Sequence, residues 1–181
     1  MDIIIEKINN ENISVINQFE DWFIVDSQLS LNFTGEEIDY TIKKIPSYKR
    51  PFPEEVEEVD IDYNGYIDKE DKTVYLAYIN NQIVGQLVLR RNWNNYAYIE
   101  ELKVDSNFRR LGIGKALLAT AKAWTIEKDL PGIMLETQND NVAACKFYED
   151  NGFSIKGFDF NLYKGINKRT NEFALYWYYI T

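Results

Sequence analysis

Between Val104 and Lys115 the chain passes from an extended run into a helix through Arg109-Arg110-Leu111-Gly112-Ile113-Gly114, and this junction narrows the possible folds more than any other segment. Tyr96 to Val104 reads as a strand, and Ile113, Leu117, Ala121 and Trp124 then recur at helical spacing. A glycine-rich strand-to-helix turn leaves the N–H groups of the first helical turn unpaired and aimed along the helix dipole, which makes a cradle for an anion. Arg109, Arg110 and Lys115 add positive charge around Gly112, Ile113 and Gly114. Lys115 is followed by Ala116, so the Gly-Lys-Ser/Thr ending of a nucleotide P-loop is missing.

The segments before the loop read as a meander rather than as repeated βαβ units. Val74 to Ile79, the turn Asn80-Asn81 and Ile83 to Leu89 predict a hairpin, and Trp93-Asn94-Asn95 turns the chain into Tyr96 to Val104. Upstream, Ile3, Ile5 and Ile8 predict an opening strand. Ile16, Phe19, Phe23 and Ile24 predict a first helix, and Ile38, Ile42 and Ile45 a second, from Glu36 to Ile45 before Pro46. Downstream, a strand is expected over Gly132 to Gln138, a short helix over Asn141 to Asn151 stopped by Gly152, and aromatic-rich strands over Phe153 to Tyr163 and Phe173 to Ile180. With 181 residues and no repeat, this is the content expected of one domain spanning 1–181.

Composition removes whole classes of chemistry. The chain has no histidine, so Ser-His-Asp triads, Cys-His dyads and histidine-ligated metals are excluded, and no metal is expected. One cysteine, Cys145, cannot make an internal disulfide or a CxxC motif, and its expected role is small and buried. A net charge of -9 repels nucleic acid and favours a cationic partner. The acidic run Glu54 to Asp60 reads as a solvated loop or as the rim of a cation site. No membrane span or basic leader is legible in the sequence, which gives a cytoplasmic expectation.

A second pattern follows the loop: Asn141, Ala144, Phe147, Tyr148, Gly152 and Phe153 in the order Asn-x-x-Ala-x-x-Phe-Tyr-x-x-x-Gly-Phe. Together with Arg109, Gly112 and Gly114 it resembles the GNAT N-acetyltransferases, most closely over Lys72 to Phe160. The resemblance implies an α/β fold of the α+β kind. It has a mixed central sheet with an antiparallel N-terminal meander, splayed parallel central strands (Tyr96 to Val104 and Gly132 to Gln138) and flanking helices. It implies acetyl coenzyme A as co-substrate, its pyrophosphate on the loop amides and its pantetheine arm along Leu102 and Val104, with Asn141 also in contact. A small cationic amine would be the acceptor, with a polyamine or a peptide lysine as alternatives and a homodimer as a common assembly.

Tyr148 resembles the family tyrosine that donates a hydrogen bond to the leaving sulfur, and its place argues against the rival reading of a non-catalytic acyl-coenzyme A sensor. An alkylammonium must lose a proton before it attacks a thioester. Glu100 and Glu101 are adjacent on a strand and are expected to face opposite sides. Glu100 is favoured by the phrase Glu-x-Leu-x-Val, similar to that of aminoglycoside acetyltransferases of this superfamily, either as base or as a carboxylate that binds the substrate cation. Glu136 is a further candidate.

Overall fold

A computed structural model of the chain describes residues 2–35, 37–51, 62–168 and 170–181; the acidic run 54–60 lies outside them. The chain divides into two compact units, one of Met1–Asp21, Glu57–Ile133 and Thr181, the other of Trp22–Val56 and Met134–Ile180.

In the first unit β1 (Ile4–Lys7), β4 (Lys72–Ile79), β5 (Gln82–Arg91) and β6 (Ala97–Val104) run antiparallel in the order β1-β4-β5-β6. The expected hairpin forms around Asn80 and Asn81, at φ 50° and 64° between the paired Ile79 and Gln82. Two successive left-handed residues match the twist of the flanking strands, and asparagine tolerates that conformation well. Helix α1 (Ile113–Glu127) buries Ile113, Leu117, Ala121 and Trp124, the stripe expected from the sequence. A second cluster gathers Ile8, Tyr66, Val74, Leu76, Ile83 and Val88, with Ile13, Val15, Ile16, Phe19 and Tyr63 packed against it.

Gly85 on β5 sets how closely α1 lies on the sheet. A Cβ there would stand 2.8 Å from the Lys103 carbonyl oxygen, 3.2 Å from Ile113 and 3.3 Å from Leu117. Gly85→Ala is therefore expected to cost about 1–3 kcal/mol in urea unfolding, the range for overpacking a filled core. An unchanged midpoint would mean that α1 lifts freely.

The first expected helix does not form. Ile16 and Phe19 instead pack partly buried against the cluster around Ile8, beside one 3-10 turn, Ile13–Val15, and Asn17 at φ 60°, while Phe23 is buried and Ile24 exposed on the strand that follows. Buried Gln86 is the cause: its side chain accepts from the Asn17 amide at 3.0 Å and donates to the Asn17 side chain at 2.7 Å, fixing a conformation no helix allows.

The second unit holds a long hairpin, β2 (Trp22–Thr34) with β3 (Glu37–Pro51), and the strands β7 (Gly132–Gln138, which begins at the boundary), β8 (Ser154–Asp159) and β9 (Ala174–Ile180) in the order β7-β9-β8. Helix α2 (Val142–Asp150) accompanies them. The helix expected over Glu36 to Ile45 is thus a strand. Ile38 and Ile42 are four apart, a spacing that puts residues on one face of a helix and equally of a strand. Pairing with β2 decides between them, through Phe33↔Ile38, Leu31↔Tyr40 and Leu29↔Ile42. β2 did carry a period-two signal: Phe23, Val25, Ser27 and Leu29 are all buried. Asn139 joins three segments, accepting the Leu29 amide at its carbonyl and exchanging backbone and side-chain bonds with Phe173. Among the described residues no helix is long and apolar enough to cross a membrane.

Candidate active site

The anion loop starts where β6 ends. Asp105 accepts from the Asn107 amide and caps the turn Ser106–Phe108, after which Arg109 is extended and Arg110 turns left-handed at φ 64°. Gly112 caps α1 at φ 87°, a conformation that favours glycine, with nothing within 4 Å of where a Cβ would stand. The first helical bond is from the Ala116 amide to the Gly112 carbonyl, so the amides of Ile113, Gly114 and Lys115 are the orphan donors of the helix start. That is the donor set a pyrophosphate requires.

Arg109 is not turned outward. It donates to Asp21 at 2.6 Å and to the Val104 carbonyl at 3.3 Å, bracing the loop against the end of β6. Burial outweighs the attraction of Arg109 and Lys103 and pushes the Asp21 carboxyl up to about 6. The exposed positive charges beside the loop are those of Arg110 and Lys115.

Glu100 and Glu101 do not face opposite sides. The register of β6 against β5 slips between Val88↔Glu101 and Leu89↔Ile99, leaving Glu100 as the extra residue of a β-bulge. A bulge re-aims the side chains beside it, and both carboxylates reach the 3-10 turn Tyr63–Tyr66. Tyr66 donates to Glu100 at 2.5 Å and Arg90 does so at 2.8 Å. Glu101 accepts from Gln86, from Lys103 at 3.0 Å and from Tyr63. Burial first, then the neighbouring carboxylates, raise both tyrosines, Tyr63 to about 12. Tyr63, Tyr66 and Arg90 had no motif to mark them. Leu102 lies between these groups and Val104 on the same strand.

In the second unit Asn141 caps α2, its side chain accepting from the Ala144 amide at 3.2 Å. Tyr148 is buried on that helix, its ring edge-on to Phe147 at 5.2 Å and to Phe153 at 5.5 Å. Burial, then Cys145, holds its phenol well above the usual range, and no hydrogen bond contributes among the described residues. Cys145 itself is fully buried, in contact with the Thr137 hydroxyl at 3.4 Å, and burial pushes its thiol up to about 12. Glu136 on β7 accepts a hydrogen bond from the Tyr163 hydroxyl, and burial pushes it up to about 7.

A glycine-capped helix start after a bulged strand, followed by an asparagine-capped helix carrying a buried tyrosine, is the arrangement of an acetyltransferase. The chain belongs to the acetyltransferase (GNAT) family, whose model matches residues 40–153, and it is an acyltransferase. Streptothricin acetyltransferase A of Bacillus subtilis (strain 168) is 34% identical over 175 residues, covering 97% of this chain and 98% of the relative. An Escherichia coli streptothricin acetyltransferase is 32% identical over 162 residues, 90% of this chain and 87% of its own. The structure of a candidate streptothricin acetyltransferase of Bacillus anthracis str. Ames, solved in complex with acetyl coenzyme A, matches with a TM-score of 0.92 at 45% identity, over 99% of this chain and 100% of that one. The mixed α/β GNAT fold expected from the sequence is the fold of this chain.

Proposed function

We propose that the protein transfers the acetyl group of acetyl coenzyme A to an amino group on the β-lysine arm of streptothricin, which confers resistance to that antibiotic. The observation that carries this reading is similarity along nearly the whole chain, hairpin included, to streptothricin acetyltransferase A of Bacillus subtilis. The orphan amides of Ile113, Gly114 and Lys115, with Arg110 beside them, suit the pyrophosphate of the co-substrate, and the Leu102 and Val104 backbone and Asn141 suit its pantetheine arm. Arg109 and Gly112 shape the loop. The co-substrate supplies an activated thioester. Tyr148 donates a hydrogen bond to the departing sulfur, and Glu100, fixed by Tyr66 and Arg90, binds and orients the cationic acceptor. Streptothricin is polycationic, so a net charge of -9 favours its approach.

Incubation with acetyl coenzyme A should give streptothricin carrying one added acetyl on the β-lysine fragment by mass spectrometry. Raising salt should increase KM for streptothricin more than for a singly charged amine, because screening weakens the interactions of each additional charge. Acetyl found on the sugar or lactam, or efficient turnover of a peptide lysine with none of the antibiotic, would overturn the substrate assignment and leave the acetyltransferase class standing.

A further inference from the structure

Two residues of the anion loop stand in the left-handed region, Arg110 at φ 64° and Gly112 at φ 87°. Glycine adopts that conformation readily, whereas arginine keeps it only where its surroundings hold the chain in place. Downstream the path is held by Ile113, the first residue of α1, which is 1% exposed. Leu111 is exposed and adds no anchor. Upstream the hold falls to the Arg109 side chain, which donates from Nη2 to Asp21 Oδ1 at 2.6 Å and from Nε to the Val104 carbonyl at 3.3 Å.

Asp21 is presented to Arg109 by a stretch, residues 18–21, that is neither helix nor strand and is nevertheless tied down along its length. At its start Asn17 exchanges hydrogen bonds with the fully buried Gln86, and its side-chain oxygen also accepts from Lys103 at 3.4 Å. Phe19 packs against the cluster around Ile8. The Glu20 carbonyl accepts the Ser106 amide at 2.9 Å, on the turn that leads into the loop. A fixed backbone, and not a free surface side chain, therefore carries the Asp21 carboxylate to the guanidinium. The charged groups that face it are Arg109 from the loop and Lys103 and Glu101 from β6. All of these, together with the orphan amides of Ile113, Gly114 and Lys115, belong to the first unit.

We propose that Asp21 is a positioning residue for the co-substrate, acting through Arg109 to hold the loop in the conformation that leaves the helix-start amides open to a pyrophosphate. This rests on the reading above that seats the pyrophosphate of acetyl coenzyme A on those amides. Paired with Asp21, the guanidinium braces the chain, and the amides and Arg110 are left to receive the phosphates. Protonating the carboxylate discharges the pair and slackens the brace. Burial puts that step at about 6, within the range where the folded protein can be assayed. The co-substrate therefore binds best while Asp21 is ionised, and binding weakens as pH falls through about 6. Repulsion between Asp21 and the pyrophosphate acts the other way. A guanidinium at 2.6 Å offsets that repulsion, which leaves the conformational effect dominant.

Calorimetric titration with dephospho coenzyme A reads the brace, because this probe keeps the pyrophosphate and lacks the phosphate monoester that itself titrates near pH 6. For the wild type, Kd should rise by roughly fivefold between about pH 7.5 and about pH 5. Asp21→Asn should bind roughly tenfold more weakly than the wild type at pH 7.5 and lose the pH dependence. Arg109→Gln should weaken binding to a similar degree, and adding Asp21→Asn to it should weaken binding no further, since the carboxylate acts through the guanidinium. A carboxyl raised in the folded state loses stability as pH rises through about 6, and asparagine removes that loss, so Asp21→Asn should melt no lower than the wild type at pH 8. Additive losses in the double variant, wild-type binding that is flat or tighter in acid, or unchanged binding by Asp21→Asn would each overturn the proposal. Should the variants fail to fold, the wild-type pH dependence decides alone. Gly112→Val tests the reading beneath, since it strains the loop backbone without meeting a neighbour. Unchanged binding there removes the loop as the pyrophosphate seat and the proposal with it. Binding lost in Gly112→Val but kept in Asp21→Asn removes the brace alone.

Discussion

Tyr148→Phe is expected to slow acetyl transfer by roughly one to three decades while acetyl coenzyme A binding stays nearly unchanged, the scale of losing one oriented proton donor. The ring is held between Phe147 and Phe153, so phenylalanine fills the same space and the fold has no reason to shift. The hydroxyl is what changes. Burial keeps it protonated well above neutral pH, and no hydrogen bond from it is found among the described residues, as the proposed donation to a departing sulfur requires. Single-turnover measurements isolate the chemical step from product release. An unchanged single-turnover rate would make Tyr148 a packing residue only.

Arg50→Ala should be the most destabilising single change, costing about 3–5 kcal/mol, the usual penalty for stranding a buried partner charge. Arg50 is 4% exposed and donates to Asp140 at 2.7 Å and to Glu172 at 2.9 Å, while the Tyr48 hydroxyl also donates to Asp140. Asp140 Oδ1 is buried with no hydrogen-bond partner among the described residues, so little else would compensate. Burial already raises Asp140 against the pull of Arg50, and without the guanidinium the rise is greater. A carboxyl raised in the folded state loses stability as pH rises through its folded value, so the variant should unfold more easily at pH 8 than at pH 5. Urea titrations at both pH values test this. Equal losses at the two would mean that Asp140 finds another partner. Because Asp140 precedes the Asn141 cap, the same variant should fray the start of α2 and lower activity before global unfolding.

The parts legible in the sequence are those fixed by residues close together in the chain. Asn80-Asn81 could only turn a hairpin, the stripe Ile113, Leu117, Ala121 and Trp124 could only face a core, and Asn141 and Gly152 bracket α2 where they were expected. What was hidden depends on distant partners. The helix expected around Ile16 is broken by Asn17 bonding to Gln86, 69 residues away. The helix expected around Ile42 becomes a strand because β2 pairs with it. Glu100 and Glu101 reach the same turn because one residue is added against β5, and a bulge has no compositional mark. Tyr163 was one tyrosine among thirteen until the fold set it against Glu136. The acidic run 54–60 lies outside the described residues, and its expected role stays an expectation.

The burial of Cys145 also governs how the enzyme lives with its own product. Each acetyl transfer as proposed releases coenzyme A, a free thiol able to form a mixed disulfide with any accessible cysteine once oxidant is present. Cys145 is fully enclosed and its thiol sits at about 12, so at pH 8 only about one molecule in ten thousand would carry the reactive thiolate. The single cysteine of the chain is therefore insulated from exchange with that thiol. The folded enzyme should be resistant to self-inflicted thiolation as product accumulates. A chromogenic disulfide reagent added to a working assay would then titrate coenzyme A alone, with the protein contributing signal only after it unfolds.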